Sequence, residues 1–138
     1  MNEDKIKELI EKALNAREGA YAPYSSFSVG AAILFDSGNI YTGANCENAS
    51  YTAGICAERV ALFSAISKGE RNPLAIAVVG GKVEKLPCDI ITPCGICRQA
   101  LCEHGAEDTL IICAKSTDEY TLYTLGELLP GAFTKESL

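Results

Sequence analysis

Along the start of the chain, Ile6, Leu9, Ile10, Ala13 and Leu14 recur at three- and four-residue intervals among charged positions, up to Arg17. That period puts them on one face of an amphipathic helix, and Gly19 follows where such a helix stops. The pattern then changes. Ala22-Pro23-Tyr24-Ser25-Ser26 reads as a loop, and Phe27–Phe35, rich in small and β-favouring residues, reads as a strand. Asp36-Ser37-Gly38-Asn39 turns it back into Ile40–Asn45 as an antiparallel hairpin. No clear period runs through Cys46–Ile55. Cys56–Lys68 is Ala-rich, with Val60, Leu62, Phe63 and Ile66 suited to a largely buried helix that ends at Gly69. Leu74–Gly80 is a short apolar run, expected as a buried central strand. About a dozen residues then lack a pattern, enough for a functional loop. Pro93 sits where a first helical turn begins, and Cys94–His104 continues as a helix stopped by Gly105. Thr109–Ala114 reads as a second buried strand and Glu119–Tyr123 as a polar edge strand. Thr124 and Glu127 have capping-box spacing for a last short helix through Leu129. Strand–helix–strand occurs twice, which predicts right-handed crossovers and a partly parallel sheet. The expected fold class is α/β, a three-layer α/β/α sandwich on a mixed sheet of about five strands.

Composition narrows the function classes. The 138 residues carry no internal repeat or linker and read as one domain, 1–138. With 48% hydrophobic and 22% charged residues the chain has an ordinary globular balance, which excludes disorder. A net charge of −6 argues against a nucleic-acid partner, which needs a concentrated basic face. No apolar run approaches the ~20 residues that span a membrane. Met1–Asn15 mixes charge with aliphatic residues and has no continuous apolar core, so a cytoplasmic protein without a secretory leader is expected.

Seven cysteines are many for that class. Their odd number, without an export signal, favours metal binding or catalysis over a disulfide framework. Cys56-Ala57-Glu58 opens one predicted helix and Pro93-Cys94-Gly95-Ile96-Cys97 opens the next. Cys94 and Cys97, three apart, face one side of a helical turn. Both helices are expected to start at the strand C-terminal edge, where open α/β sheets place their sites. A helix N-terminus also lowers the pKa of a thiol and favours its metal-binding form. Three thiolates at two helix starts make a tripod for Zn²⁺ with a fourth position open to water, the catalytic arrangement. Glu58 is near enough to carry that water's proton. A structural zinc needs a fourth protein ligand, for which Cys102 and His104 are the candidates. Redox use of Cys94 and Cys97 explains neither Cys56 nor Glu58.

A Cys-x-Glu followed by Pro-Cys-x-x-Cys is the general signature of zinc deaminases. The resemblance extends further. Tyr21-Ala22-Pro23-Tyr24-Ser25, Phe27-Ser28-Val29-Gly30-Ala31-Ala32, Asn45-Cys46-Glu47-Asn48-Ala49, Cys56-Ala57-Glu58-Arg59, Pro93-Cys94-Gly95-Ile96-Cys97-Arg98-Gln99 and Leu128-Leu129-Pro130-Gly131-Ala132-Phe133 occur in this order. Together they resemble the cytidine deaminases of the small, homotetrameric, three-cysteine kind, over nearly the whole chain. No zinc or catalytic position departs from that family's pattern.

The resemblance implies hydrolytic deamination of cytidine and 2′-deoxycytidine in pyrimidine salvage, with one Zn²⁺ per subunit held by Cys56, Cys94 and Cys97. It makes Glu58 the proton carrier, first base and then acid. Three thiolates leave the zinc shell formally negative, and the resemblance gives Arg59 the task of hydrogen-bonding them. Arg98 has either a structural role or one beside the zinc ligands. Asn45 and Glu47, alternating at the end of a predicted strand, suit ribose hydroxyls, with Cys46 between them. Glu47 also repels a phosphate, which favours a free nucleoside. By resemblance Phe27 stacks on the pyrimidine, the Ala57 main chain contacts the base, and Phe133 completes a neighbouring subunit's pocket, with Tyr51 supporting that interface. Cys102 and Cys113 are expected to pack in the core, Cys88 lies in a loop, and His104 ends a helix. Gly80-Gly81-Lys82 lacks the lead and the following Ser/Thr of a phosphate loop. Two other readings stay open. One is a zinc deaminase of another substrate, such as a nucleobase, an aminonucleoside antibiotic like blasticidin S, or an RNA cytosine. The other is a non-enzymatic, zinc-stabilised binding domain.

Overall fold

The computed structural model describes Met1–Leu138. Helix α1 (Glu3–Ala16) is followed by the hairpin β1 (Phe27–Phe35) and β2 (Ile40–Ala44). Helix α2 (Ala57–Ser67), strand β3 (Pro73–Lys82), helix α3 (Gly95–His104) and strand β4 (Leu110–Ala114) come next. Strand β5 (Tyr120–Thr124) and the single turn α4 (Leu125–Leu128) complete the domain. The five strands form one sheet in the order β2-β1-β3-β4-β5. Only β3 and β4 are parallel neighbours; the other three pairings are antiparallel.

The strand sequences are apolar on both faces because both faces are covered. Ala31, Ile33 and Phe35 of β1, with Ile76 and Val78 of β3, face Ala61, Leu62 and Ala65 of α2 and Leu101 of α3. The alternate residues Ala32, Leu34, Ala75, Ala77 and Val79 face Ile6, Leu9, Ile10 and Ala13 of α1. The α/β/α sandwich is thus one helix against two, with α4 beside α3. No helix is long and apolar enough to cross a membrane.

Several boundaries differ from the sequence reading by a residue or two, and three of them bear on the site. β2 stops at Ala44, so Asn45, Cys46 and Glu47 lie just past the strand, where Cys46 makes isolated bridges to Tyr21 and Ile55. Strand β3 runs on to Lys82, because Phe27 at the start of β1 pairs with it. Pro93 and Cys94 stand outside α3: Cys94 is the N-cap in extended backbone, and proline holds the residue before it. Both strand–helix–strand units join strands of the same direction. In the first, β1 lies between β2 and β3, so the shared direction gives no pairing.

Candidate active site

β2 and β3 end at one edge of the sheet, and α2 and α3 start there. Cys56 is the N-cap of α2 and Cys94 the N-cap of α3; neither side chain caps its helix, so both sulfurs stay free. Cys97 lies one turn into α3. The Cys56 and Cys94 sulfurs are 3.8 Å apart and those of Cys94 and Cys97 3.5 Å, with all three within 4.8 Å of one another. Tetrahedral zinc with ~2.3 Å bonds to sulfur sets its thiolates about 3.8 Å apart, so the cup fits that ion. Cys97 is buried at its base and Cys94 exposed at its rim. Cys102 and His104, further along α3, are not in the cluster, which leaves the fourth position open.

The charges around the cup are uneven. The Cys56 thiol is brought down to about 5, chiefly by the hydrogen bond from Cys97, with Arg59 and Cys94 assisting. Arg59 Nη2 donates to Cys56 Sγ at 3.6 Å, and its Nε is buried without a partner. Glu58, in the first turn of α2, is only 5% exposed. Burial, and then the negative charge on Cys56, push its carboxyl up to about 7. A dication in the cup lowers both values, reinforcing the thiolate at Cys56 and opposing the upward shift at Glu58.

A cavity of about 600 Å³ opens over the cup, with Glu58, Ala57, Cys56 and Cys94 among its lining residues. Phe27 and Val29 of β1 form another wall, and Asn45, Cys46 and Glu47 a third. Asn45 bridges to β1: its Oδ1 accepts from Val29 N at 2.8 Å and its Nδ2 donates to Phe27 O at 2.9 Å. Glu47 Oε1 accepts the backbone N–H groups of Tyr24 and Ser25 at 3.0 and 3.1 Å, and Oε2 accepts the Ser25 hydroxyl. These bonds, the Ser25 hydroxyl first, hold its carboxyl below the usual range. A carboxylate offers about four lone-pair sites, so roughly one remains for a ligand.

Residues 3–113 match the family model described as the cytidine and deoxycytidylate deaminase zinc-binding region. The cytidine deaminase of Halalkalibacterium halodurans is 48% identical over 130 residues, 94% of this chain and 95% of that protein. The chain belongs to the cytidine deaminase family. Among solved structures, the cytidine deaminase of Burkholderia pseudomallei is similar at 45% identity and a TM-score of 0.83, covering 91% of this chain and 97% of that one. That of Mycobacterium tuberculosis is similar at 42% identity and a TM-score of 0.77, covering 91% and 94%. Zinc is the metal named in the description of the family model, and the three-sulfur cluster fits it.

The residues expected from the sequence do not all meet at this site. Cys56, Cys94, Cys97, Glu58, Arg59, Ala57, Phe27, Asn45, Cys46, Glu47 and Tyr51 all gather at the cup or the cavity. Phe133 does not. It is 61% exposed on the C-terminal tail and lines no part of its own chain's cavity. Ile91 and Thr92 do line it and were not singled out from the sequence, since the loop before Pro93 has no period. Their adjacency to Pro93-Cys94 was the available signal. Cys113 is buried in β4 and Cys102 packs against the core, as expected.

Proposed function

We propose that this chain hydrolyses cytidine and 2′-deoxycytidine to uridine and 2′-deoxyuridine, releasing ammonia. One observation carries the reading: a buried carboxyl, Glu58, lies beside a three-sulfur cup on the floor of a cavity with Phe27, Asn45 and Glu47 in its walls. Cys56, Cys94 and Cys97 would hold zinc, which would supply the acidification of a water molecule at the open position. Glu58 takes one proton from water and gives it to ring nitrogen three as the remaining hydroxide adds to ring carbon four; it then takes the proton of the new hydroxyl and gives it to the amine, which leaves as ammonia when the C–N bond breaks. Burial raises the affinity of the Glu58 carboxyl for a proton and the charge of a metal beside it opposes that rise, a balance suited to accepting and returning one. Phe27 stacks on the base, the Ala57 main chain contacts it, and Asn45 and Glu47 receive the sugar, alongside Cys46. Arg59 draws charge from the thiolates.

The family description covers nucleotides as well as nucleosides, and charge favours the nucleoside. Arg59 is the one cation lining the cavity, and it is engaged with Cys56; Glu47 and Glu58 are both acids. Within this chain no free cation is left for a 5′-phosphate. The exposed Phe133 supports a homotetramer in which it completes a neighbour's pocket, with Tyr51 at the same interface. The reaction suits pyrimidine salvage in the cytoplasm.

Zinc-loaded protein given cytidine, 2′-deoxycytidine and deoxycytidine 5′-monophosphate tests the substrate assignment. Turnover of the two nucleosides with little of the nucleotide is the expected result; preference for the nucleotide overturns it. Glu58→Gln is expected to keep its zinc and lose roughly 10²–10⁴-fold in kcat, the usual scale of general acid–base catalysis. Retained turnover sinks the proton-carrier role.

A further inference from the structure

Arg98 makes three side-chain hydrogen bonds near the cup, and none of them is an ion pair. Its Nε donates to Pro93 O at 2.7 Å, Nη1 to Leu128 O at 2.7 Å and Nη2 to Thr92 Oγ1 at 3.0 Å. The protein's three ion pairs all lie elsewhere. A cation in the first turn of a helix opposes the helix dipole, so its retention there needs another reason.

The main chain supplies one. Arg98 N also donates to Cys94 O at 2.9 Å, the bond that opens α3. One residue therefore holds the carbonyl of Cys94 and the carbonyl just before it. A peptide is planar, so fixing these two carbonyls fixes both peptide planes that flank Cys94. What remains free in Cys94 is the rotation of its own side chain. Cys94 is the exposed sulfur at the rim, in extended N-cap backbone outside the regular helix. Without such a grip its sulfur is the one best able to drift. The third contact, to the last residue of α4, ties this grip to the C-terminal segment, which Gln99 also holds through Phe133 O at 2.8 Å.

We propose that Arg98 is a positioning residue, whose guanidinium fixes the Pro93–Cys94 peptide and thereby aims the Cys94 sulfur into the cup. The proposal rests on the zinc reading above. It requires the forked shape of the guanidinium as well as its charge, since a lysine ammonium cannot span the three acceptors in one plane.

Metal release is the decisive readout. The parent, Arg98→Lys, Arg98→Gln and Thr92→Val are loaded with zinc or cobalt(II), then challenged with a chelator. Both Arg98 variants are expected to release metal about tenfold faster, the scale seen when a partner of a metal ligand is removed. The thiolate-to-cobalt charge-transfer band should shift, and kcat should fall with KM for cytidine unchanged. Thr92→Val should move the same readouts in the same direction by less. The metal-free melting temperature of Arg98→Lys should stay near the parent's. Parental release rates and an unshifted cobalt band overturn the proposal, as does a loss confined to metal-free stability, which marks a mere strut to α4. If Arg98→Gln does not fold, Arg98→Lys and Thr92→Val decide. A parent that takes up no metal defeats the zinc reading itself and is recognised before any variant is compared.

Discussion

At position 80 a missing side chain shapes the cavity wall. A Cβ on Gly80 would stand 2.5 Å from Ile91 Cδ1 and 2.9 Å from Phe27 Cε2, so the space glycine leaves is the space the two pocket residues fill. Gly80→Ala must displace both, at an overpacking cost of roughly 1–3 kcal/mol. We expect a raised KM for cytidine with a smaller change in kcat, measured by steady-state kinetics beside a melting curve. An unchanged KM would show that Phe27 does not meet the base. Nothing in the sequence marks this role: Gly80-Gly81 reads as the tail of an apolar run, or as a failed phosphate loop. The cysteines and Glu58 were legible because their spacing has a chemical meaning of its own. The meaning of Gly80 depends on Phe27 and Ile91, which reach it only through strand pairing and a patternless loop.

Elements are seated by the same device. Helix α2 lies so close to β2 that a Cβ on Gly43 would meet Ala61 N at 2.6 Å and Ala57 O at 2.7 Å. Those are backbone atoms, which cannot rotate away. Gly43→Ala is therefore expected to shift the whole helix that carries Cys56 and Glu58. It should destabilise the fold by roughly 1–3 kcal/mol or more and speed zinc release, read from chemical denaturation and a chelator assay. At the other edge of the sheet, Glu70 joins the β1–β2 turn to the α2–β3 junction, accepting from Asn39, Ser37 and Tyr41. Those bonds, Asn39's first, hold its carboxyl below the usual range. The linked stability is full above the unfolded value of about 4.3 and is lost as pH falls through the lower folded value. Glu70→Gln should thus melt earlier than the parent from neutral pH to about pH 5, with the difference closing at more acid pH. A gap that does not narrow would assign the effect to packing. Helix and strand extents were readable here, since Gly19, Gly69 and Gly105 mark helix ends. Caps were less so: the proline before Cys94 suggested a first helical turn, and only the fold shows that cysteine in extended backbone.

Across the whole molecule, chemistry and folding support are divided between two edges of one sheet. The start of β1, the ends of β2 and β3, and the starts of α2 and α3 meet at one edge. The hairpin turn and Glu70 occupy the other. The sandwich and the mixed sheet were legible from the order of elements. The position of β1 between β2 and β3 was not, because alternating apolar residues give a strand's faces and leave its neighbours open. The three exposed cysteines all lie outside regular elements: Cys46 and Cys94 line the cavity, and Cys88 sits in the loop that leads from β3 to α3. Thiol-directed labelling at Cys46 or Cys94 therefore attaches dyes, linkers or solid supports beside the cavity mouth. An enzyme immobilised through its native thiols would face its support and be starved of substrate. With Cys88 replaced, Cys94 shielded by zinc and Cys46 shielded by a ligand filling the cavity, a new thiol at exposed Lys68, past the far end of α2, would turn the open cavity toward solution.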